Sequence, residues 1–131
     1  VIAREIASVA NKSIGNSKYT WGGGRNPLDI AAGRFDCSSF TNYVYKQVFG
    51  IDIGSTTREQ RKVGRRLSTV EKPQPGDLVF FDTNQKDGHV GIYMGNGKVL
   101  GAQTSTGVAV FDMTKGYWKD KFKGHIRRVV E

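Results

Sequence analysis

One cysteine and two histidines are the residues of this chain best suited to nucleophilic and acid–base chemistry. Cys37 stands in Phe35-Asp36-Cys37-Ser38-Ser39-Phe40, His89 opens His89-Val90-Gly91-Ile92-Tyr93-Met94, and His125 lies among Lys123, Arg127 and Arg128. A free thiol has a pKa of about 8.5 and attacks as thiolate, so it needs help at neutral pH. The first turn of a helix favours an anion by roughly 0.3–1 kcal/mol, and an imidazole base supplies more. Without such help Cys37 is a small buried hydrophobe and His89 an ordinary hydrogen-bonded strand residue. Cationic neighbours and a place near the C-terminus predict that His125 is frayed and a poor base, which leaves His89. No His/Cys/Asp group has metal-ligand spacing, so neither a metal nor an organic cofactor is expected. Gly22-Gly23-Gly24 lacks the Lys-Ser/Thr ending of a phosphate loop.

The elements that must position these residues follow from periodicity. Ile2, Ile6, Val9 and Ala10 predict an amphipathic helix over 2–12, ended near Gly15. Residues 19–29, with three glycines and Pro27, predict an irregular loop, in which Trp21 is expected to turn into the core. Asp36 is a good N-cap, and Phe40, Tyr43, Val44 and Val48 form a stripe ending at Gly50, which places Cys37 in the first turn of a helix. Thr56-Thr57-Arg58-Glu59 has capping-box spacing and predicts a short third helix ended by Gly64. After Pro73-Gln74-Pro75-Gly76 the period changes, and strands are expected over 78–82, 89–94, 98–104, 108–112 and 124–130. Helices first and an antiparallel sheet second is the α+β pattern.

The 131 residues fit one domain, 1–131, large enough to bury a core without disulfide or metal staples. The absence of a long apolar run argues against a membrane span. Val1 in place of Met, and no charged leader before an apolar core, suggest a domain excised from a longer protein. Twenty Lys and Arg against twelve Asp and Glu give +8, which favours a polyanionic neighbourhood. The basic runs 58–66 and 115–123 are interspersed with acids and lack the aromatic–basic alternation of a nucleic-acid-binding sheet, so no nucleic acid partner is expected. The run 58–66 reads as a solvated face.

Taken in order, Tyr19-Thr20-Trp21-Gly22-Gly23, Asp36-Cys37-Ser38-Ser39-Phe40, Thr56-Thr57-Arg58-Glu59-Gln60, Pro75-Gly76-Asp77-Leu78-Val79-Phe80-Phe81 and His89-Val90-Gly91-Ile92-Tyr93-Met94-Gly95 resemble the successive signatures of the NlpC/P60 family of cysteine peptidases. The resemblance spans nearly the whole chain. It implies a papain-like α+β fold, with N-terminal helices packed on a C-terminal antiparallel sheet. It also implies hydrolysis of peptidoglycan stem peptides, commonly between D-γ-glutamate and the diamino acid. Carried onto this sequence, it makes Cys37 the nucleophile and His89 the base, and turns Tyr19, Asp36, Ser38 and Thr56 toward substrate. A secreted or wall-associated location, anionic wall polymers as neighbours, a monomeric state and fusion to a glycan-cleaving domain are further expectations. An N-acetylmuramoyl-L-alanine amidase and a noncatalytic wall-binding module are the alternatives.

One departure separates the chain from the family pattern. A polar residue, often His, usually stands in the next strand to orient the catalytic imidazole, and here that position is Gly101. Strand alternation puts Gln103 on the same face, where its amide oxygen could accept from the ring N–H as a neutral Asn does in papain-like triads. Register decides: a two-residue Asn96-Gly97 turn pairs odd with even positions, whereas a three-residue loop with a glycine bulge sets Gln103 opposite His89. Gln103 is therefore the expected third catalytic residue, with a backbone carbonyl or water as the alternative.

Overall fold

Local capping fixes the helix that carries Cys37. Helix α3, Cys37–Phe49, begins where the Asp36 carboxylate accepts from the Ser39 amide at 2.9 Å, while Ser39 Oγ accepts from the Asp36 amide at 3.0 Å. It ends on Gly50, whose φ of 68° lies in the left-handed region that favours glycine and whose N–H returns to the Lys46 carbonyl. The computed structural model describes residues 2–130. Val1 and Glu131, the ends of the expected 1–131 domain, lie outside the described residues.

The other helices are α1 (Ile2–Ala10), α2 (Pro27–Ala31), α4 (Thr57–Gln60) and α5 (Gly116–Lys121). Helix α1 buries Ile6 and Ala10 and packs against α3. The segment expected as pure loop contains α2, because Asn26 caps it through the Asp29 amide and Pro27 occupies the first helical turn, where no amide is needed. In α4 the Thr56 hydroxyl accepts from the Glu59 amide at 3.2 Å, but the Glu59 carboxylate turns to the Ser55 amide and the Thr56 hydroxyl instead of the Thr56 amide.

Two short parallel strands, β1 (Lys18–Tyr19) and β2 (Arg34–Phe35), bring Tyr19 beside the start of α3. The main sheet has six strands: β3 (Arg65–Arg66), β4 (Leu78–Phe81), β5 (His89–Gly95), β6 (Lys98–Gln103), β7 (Gly107–Asp112) and β8 (Phe122–Arg128). They lie antiparallel in the order β3-β8-β4-β5-β6-β7. Strand β3 was not expected, and β8 starts at Phe122 because α5 consumes the preceding part of the basic run.

Alternation along the strands builds a core on each face of the sheet. Phe80, Val90, Ile92, Leu100 and Ala102 pack with Phe40, Val44 and Tyr45 of α3. On the other face Val79, Phe81, Val99, Met113 and Ile126 pack with Trp118 and Phe122. A buried ion pair closes the bottom of the sheet: Asp77 accepts from Arg128 at 3.0 and 2.9 Å. The Tyr45 hydroxyl donates to the Gly76 carbonyl beside it.

Candidate active site

An open cleft of about 1370 Å³ lies where the start of α3 meets the start of β5, and it gathers residues from six separate segments of the chain. Tyr19, Asp36, Cys37, Ser38, Thr56, His89 and Gln103, all seven residues expected at a site, line it. Trp21, Arg58, Thr83, Asn84, Gln85, Tyr117 and Trp118 are among the other residues of its walls. Cys37 is buried to 6% exposure, and its Sγ lies 3.9 Å from the carbonyl oxygen of Gly88, the residue before His89. The backbone amides of Val90, Ser38 and Cys37 itself also face the sulfur.

The β5–β6 register places Gln103 as the sequence required, by a different route. Asn96 and Gly97, both at positive φ, form the two-residue turn. A bulge between Tyr93 and Gly95 then resets the pairing to Tyr93↔Val99 and Ile92↔Leu100. Continued along the strands, that register sets Gly91 opposite Gly101 and His89 opposite Gln103. Gln103 Oε1 lies 3.3 Å from His89 Nε2. A Cβ on residue 101 would stand 2.6 Å from that oxygen, so Gly101 leaves the space the amide occupies.

The network also settles the tautomer. Gln103 Nε2 donates to Thr106 Oγ1 at 3.3 Å and to the Ala109 carbonyl at 3.4 Å, which turns Oε1 toward the ring. An amide oxygen only accepts, so His89 Nε2 carries the proton and Nδ1 keeps the free lone pair of a base. Trp118, 4.9 Å from the imidazole between centroids, and Phe81 and Phe111, at 6.1 and 6.2 Å, hold the ring on its other sides.

Burial sets the resting charge state. It pushes the Cys37 thiol up to about 11, with Asp36 adding repulsion and the backbone amides opposing. Burial likewise pushes the His89 imidazole down to about 4, against the pull of Gln103. Both shifts favour a neutral thiol and a neutral imidazole over the ion pair that helix position and imidazole partnership promote, because desolvation opposes each charged form.

His89 thereby couples stability to pH. The unfolded imidazole binds a proton near 6.5 and the folded one only near 4, so between those values the unfolded chain holds more protons and stability falls as pH drops. The contribution lost is up to about 3 kcal/mol. Urea midpoints of wild type measured from pH 7 to 4 should fall more steeply than those of His89→Gln; parallel curves would show that His89 carries no such penalty.

Asp36 faces the cleft as a carboxylate paired with Arg25. Its Oδ2 accepts from Arg25 Nη1 at 2.8 Å and the Gly22 amide at 3.1 Å, and its Oδ1 from the Ser39 amide, the Ser38 hydroxyl and Arg25 Nη2. Arg25 also reaches the carbonyls of Gly23 and Ser55 and the Ser38 hydroxyl. A charge between the triple glycine and α2 was the signal for Arg25, but only the loop's path brings it to Asp36. Tyr19 is half-buried, its hydroxyl pushed up to about 12 by burial and by the neighbouring Cys37 and Asp36. Thr56 is exposed at the cap of α4.

Two expectations are corrected. Trp21 is 82% exposed at the cleft rim instead of in the core, since the turn at Gly22 directs it outward. His125 is not frayed: it is buried in β8, stacked on Phe80 at 4.8 Å, and its Nδ1 lies 3.0 Å from the Asp87 carboxylate, while the expected repulsion from cations comes from Arg66 and Arg127. It is not among the residues lining the cleft. Trp118, half-buried against the imidazole, was hidden in the basic run 115–123, where the pair Tyr117-Trp118 was the available sign of an aromatic wall.

Comparison with known proteins matches residues 15–127 to the model of the NlpC/P60 family. The chain belongs to the NlpC/P60 family. It is 48% identical over 126 residues to "Peptidoglycan DL-endopeptidase CwlO" of Bacillus licheniformis, covering 95% of this chain and 27% of that protein. To "Gamma-DL-glutamyl hydrolase" of Bacillus subtilis it is 34% identical over 125 residues, covering 94% of this chain and 28% of that one. The NlpC/p60 domain of the peptidoglycan hydrolase SagA superposes with a TM-score of 0.68 at 38% identity, over 86% of this chain and 90% of that structure. Membership makes this an NlpC/P60 cysteine-peptidase domain with the papain-like α+β fold, and the helices and six-stranded antiparallel sheet are its form of that fold.

Proposed function

We propose that this NlpC/P60 domain hydrolyses the D-γ-glutamyl–diamino acid bond of peptidoglycan stem peptides through a thioester on Cys37. The observation that carries the proposal is one open cleft shared by Cys37, at the start of α3, and by His89 backed by Gln103. Similarity to one protein named a peptidoglycan DL-endopeptidase and another named a gamma-DL-glutamyl hydrolase supports the choice of substrate and bond.

His89 Nδ1 takes the thiol proton as the sulfur attacks the amide carbonyl, so charge forms only once substrate is bound. The backbone amide of Cys37, with the Tyr19 hydroxyl, donates to the developing oxyanion. The imidazolium, steadied by Gln103, returns the proton to the leaving amine of the diamino acid. Water, deprotonated by the same nitrogen, then attacks the thioester, freeing the γ-glutamyl acid and the Cys37 sulfur, which takes the proton back from the imidazolium. No step calls for a metal or an organic cofactor. Ser38, Thr56 and the Arg25–Asp36 pair form the wall against which the peptide lies. The domain works as a monomer at or outside the cell wall, its basic surface drawn to anionic wall polymers, within a longer protein that also carries a glycan-cleaving domain.

Digestion of purified muropeptides, with products identified by mass, tests the proposal. Cleavage after γ-glutamate is the expected result. Release of intact stem peptides would make the domain an amidase, and no product at all would make it a wall-binding module.

A further inference from the structure

A second histidine–carboxylate pair, used by no step above, sits beneath the catalytic strand. The loop between β4 and β5 runs from Asp82 to Gly88 and forms one wall of the cleft through Thr83, Asn84 and Gln85. Its penultimate residue, Asp87, turns inward, with 3% exposure and a φ of 54°, in the left-handed region that Asp enters more readily than most residues. Its partners hold it there. The Asp87 amide donates to Asp82 Oδ1 at 2.9 Å, and its carboxylate oxygen Oδ2 accepts from His125 Nδ1 at 3.0 Å and pairs with Arg61 Nε at 3.1 Å.

His125 is held in turn. Arg127 Nε donates to its Nε2 at 3.1 Å, so that nitrogen is the acceptor and Nδ1 carries the proton given to Asp87. The charged groups facing this imidazole are Asp87 on one side and Arg127 and Arg66 on the other. Arg61 stands at the C-terminal cap of α4, the element whose Thr57 and Arg58 line the opposite wall of the cleft. One carboxylate thus ties three elements together two residues before His89, and one residue before the carbonyl that faces the Cys37 sulfur.

We propose that Asp87, held by His125 and Arg61, is a positioning residue that sets the Gly88 carbonyl and the His89 ring against Cys37 and fixes the separation of the two cleft walls. It touches no substrate and acts through the backbone of Gly88 and His89. Gly88 lies close against the loop that Asp87 holds, since a Cβ there would stand 2.5 Å from Asn84 Oδ1. The inference deepens the peptidase reading and concerns the same site.

The test uses His125→Leu, which removes the donor to Asp87; His125→Asn, whose side-chain amide can replace Nδ1–H; and Arg61→Gln, which removes the guanidinium from Asp87 at a half-exposed position. Two readouts are taken on the whole chain: kcat and KM on a stem peptide, and the pH profile of Cys37 alkylation by iodoacetamide. In His125→Leu, kcat should fall tenfold or more with KM within threefold. Its alkylation profile should move to higher pH by half a unit or more, because a displaced His89 no longer takes the thiol proton. His125→Asn should recover most of both, and Arg61→Gln should lower kcat about threefold and move the profile in the same direction by a smaller amount. A purely structural role would lower the melting temperature and leave the folded protein's alkylation profile in place, and that outcome overturns the proposal. So does an unchanged profile in Arg61→Gln if His125→Leu fails to fold. Alkylation needs no peptidoglycan, so a shifted profile in a protein inert toward stem peptides would overturn the substrate and leave this inference standing.

Discussion

Cys37→Ala is expected to lose stem-peptide cleavage by a factor on the order of 10⁴ or more, the scale seen when an enzyme's nucleophile is removed, while the protein stays folded. The helix does not depend on the sulfur. Its start is fixed by the reciprocal Asp36–Ser39 cap and its end by Gly50, and alanine is the best helix former. The lost contact is one small buried atom, a cost of about 1 kcal/mol or less by comparison with other buried truncations. Circular dichroism should therefore match wild type, and calorimetric binding of the stem peptide should persist. Product mass spectrometry reads the loss directly, and a fall of less than tenfold would show that the sulfur is not the nucleophile.

Gln103→Ala should lower kcat by roughly 10- to 100-fold with little change in KM. The ring is neutral at rest, so in the ground state the Gln103 contact is an ordinary hydrogen bond at 3.3 Å. When His89 accepts the thiol proton, the same oxygen faces an imidazolium, and hydrogen bonds to charged groups are worth about 1.5–3 kcal/mol. The difference appears in the transition state and so in kcat. Alanine also removes the anchors to Thr106 and Ala109, but the ring keeps its aromatic neighbours Trp118, Phe81 and Phe111. Gln103→Glu keeps an acceptor in the same place and should retain more activity than alanine. Equal turnover of wild type and Gln103→Ala would assign the orienting role elsewhere.

The site was legible wherever its signals are local. The cap at Asp36, the stop at Gly50 and the stripe between them are short-range matters of backbone hydrogen bonding and periodicity, so α3 and the placement of Cys37 in its first turn could be read directly. His89 was legible for the same reason, as the opening of an alternating strand beside a glycine. Trp21 was not, because whether an aromatic next to three glycines turns in or out depends on a turn whose direction no periodicity records. The burial of His125 was not legible either, because its sequence neighbours are cations, whereas Asp87 and Phe80, which hold it beside Arg127, come from distant segments.

By itself the sequence determined the α+β order of elements, the cysteine and histidine that share a cleft, and Gln103 as the residue able to stand behind the histidine. Tertiary structure decided three things that depend on through-space distance and burial. A bulge at the β5–β6 turn, with the space left by Gly101, put Gln103 opposite His89. Desolvation in the folded cleft pushed the thiol up and the imidazole down, each toward its neutral form. The meeting of Arg25 with Asp36, and of Asp87 with His125 and Arg61, gave buried carboxylates their partners. A residue's charge and partners are set by what the fold brings within a few ångströms, and neighbours along the chain predict that only inside a single helix, strand or turn.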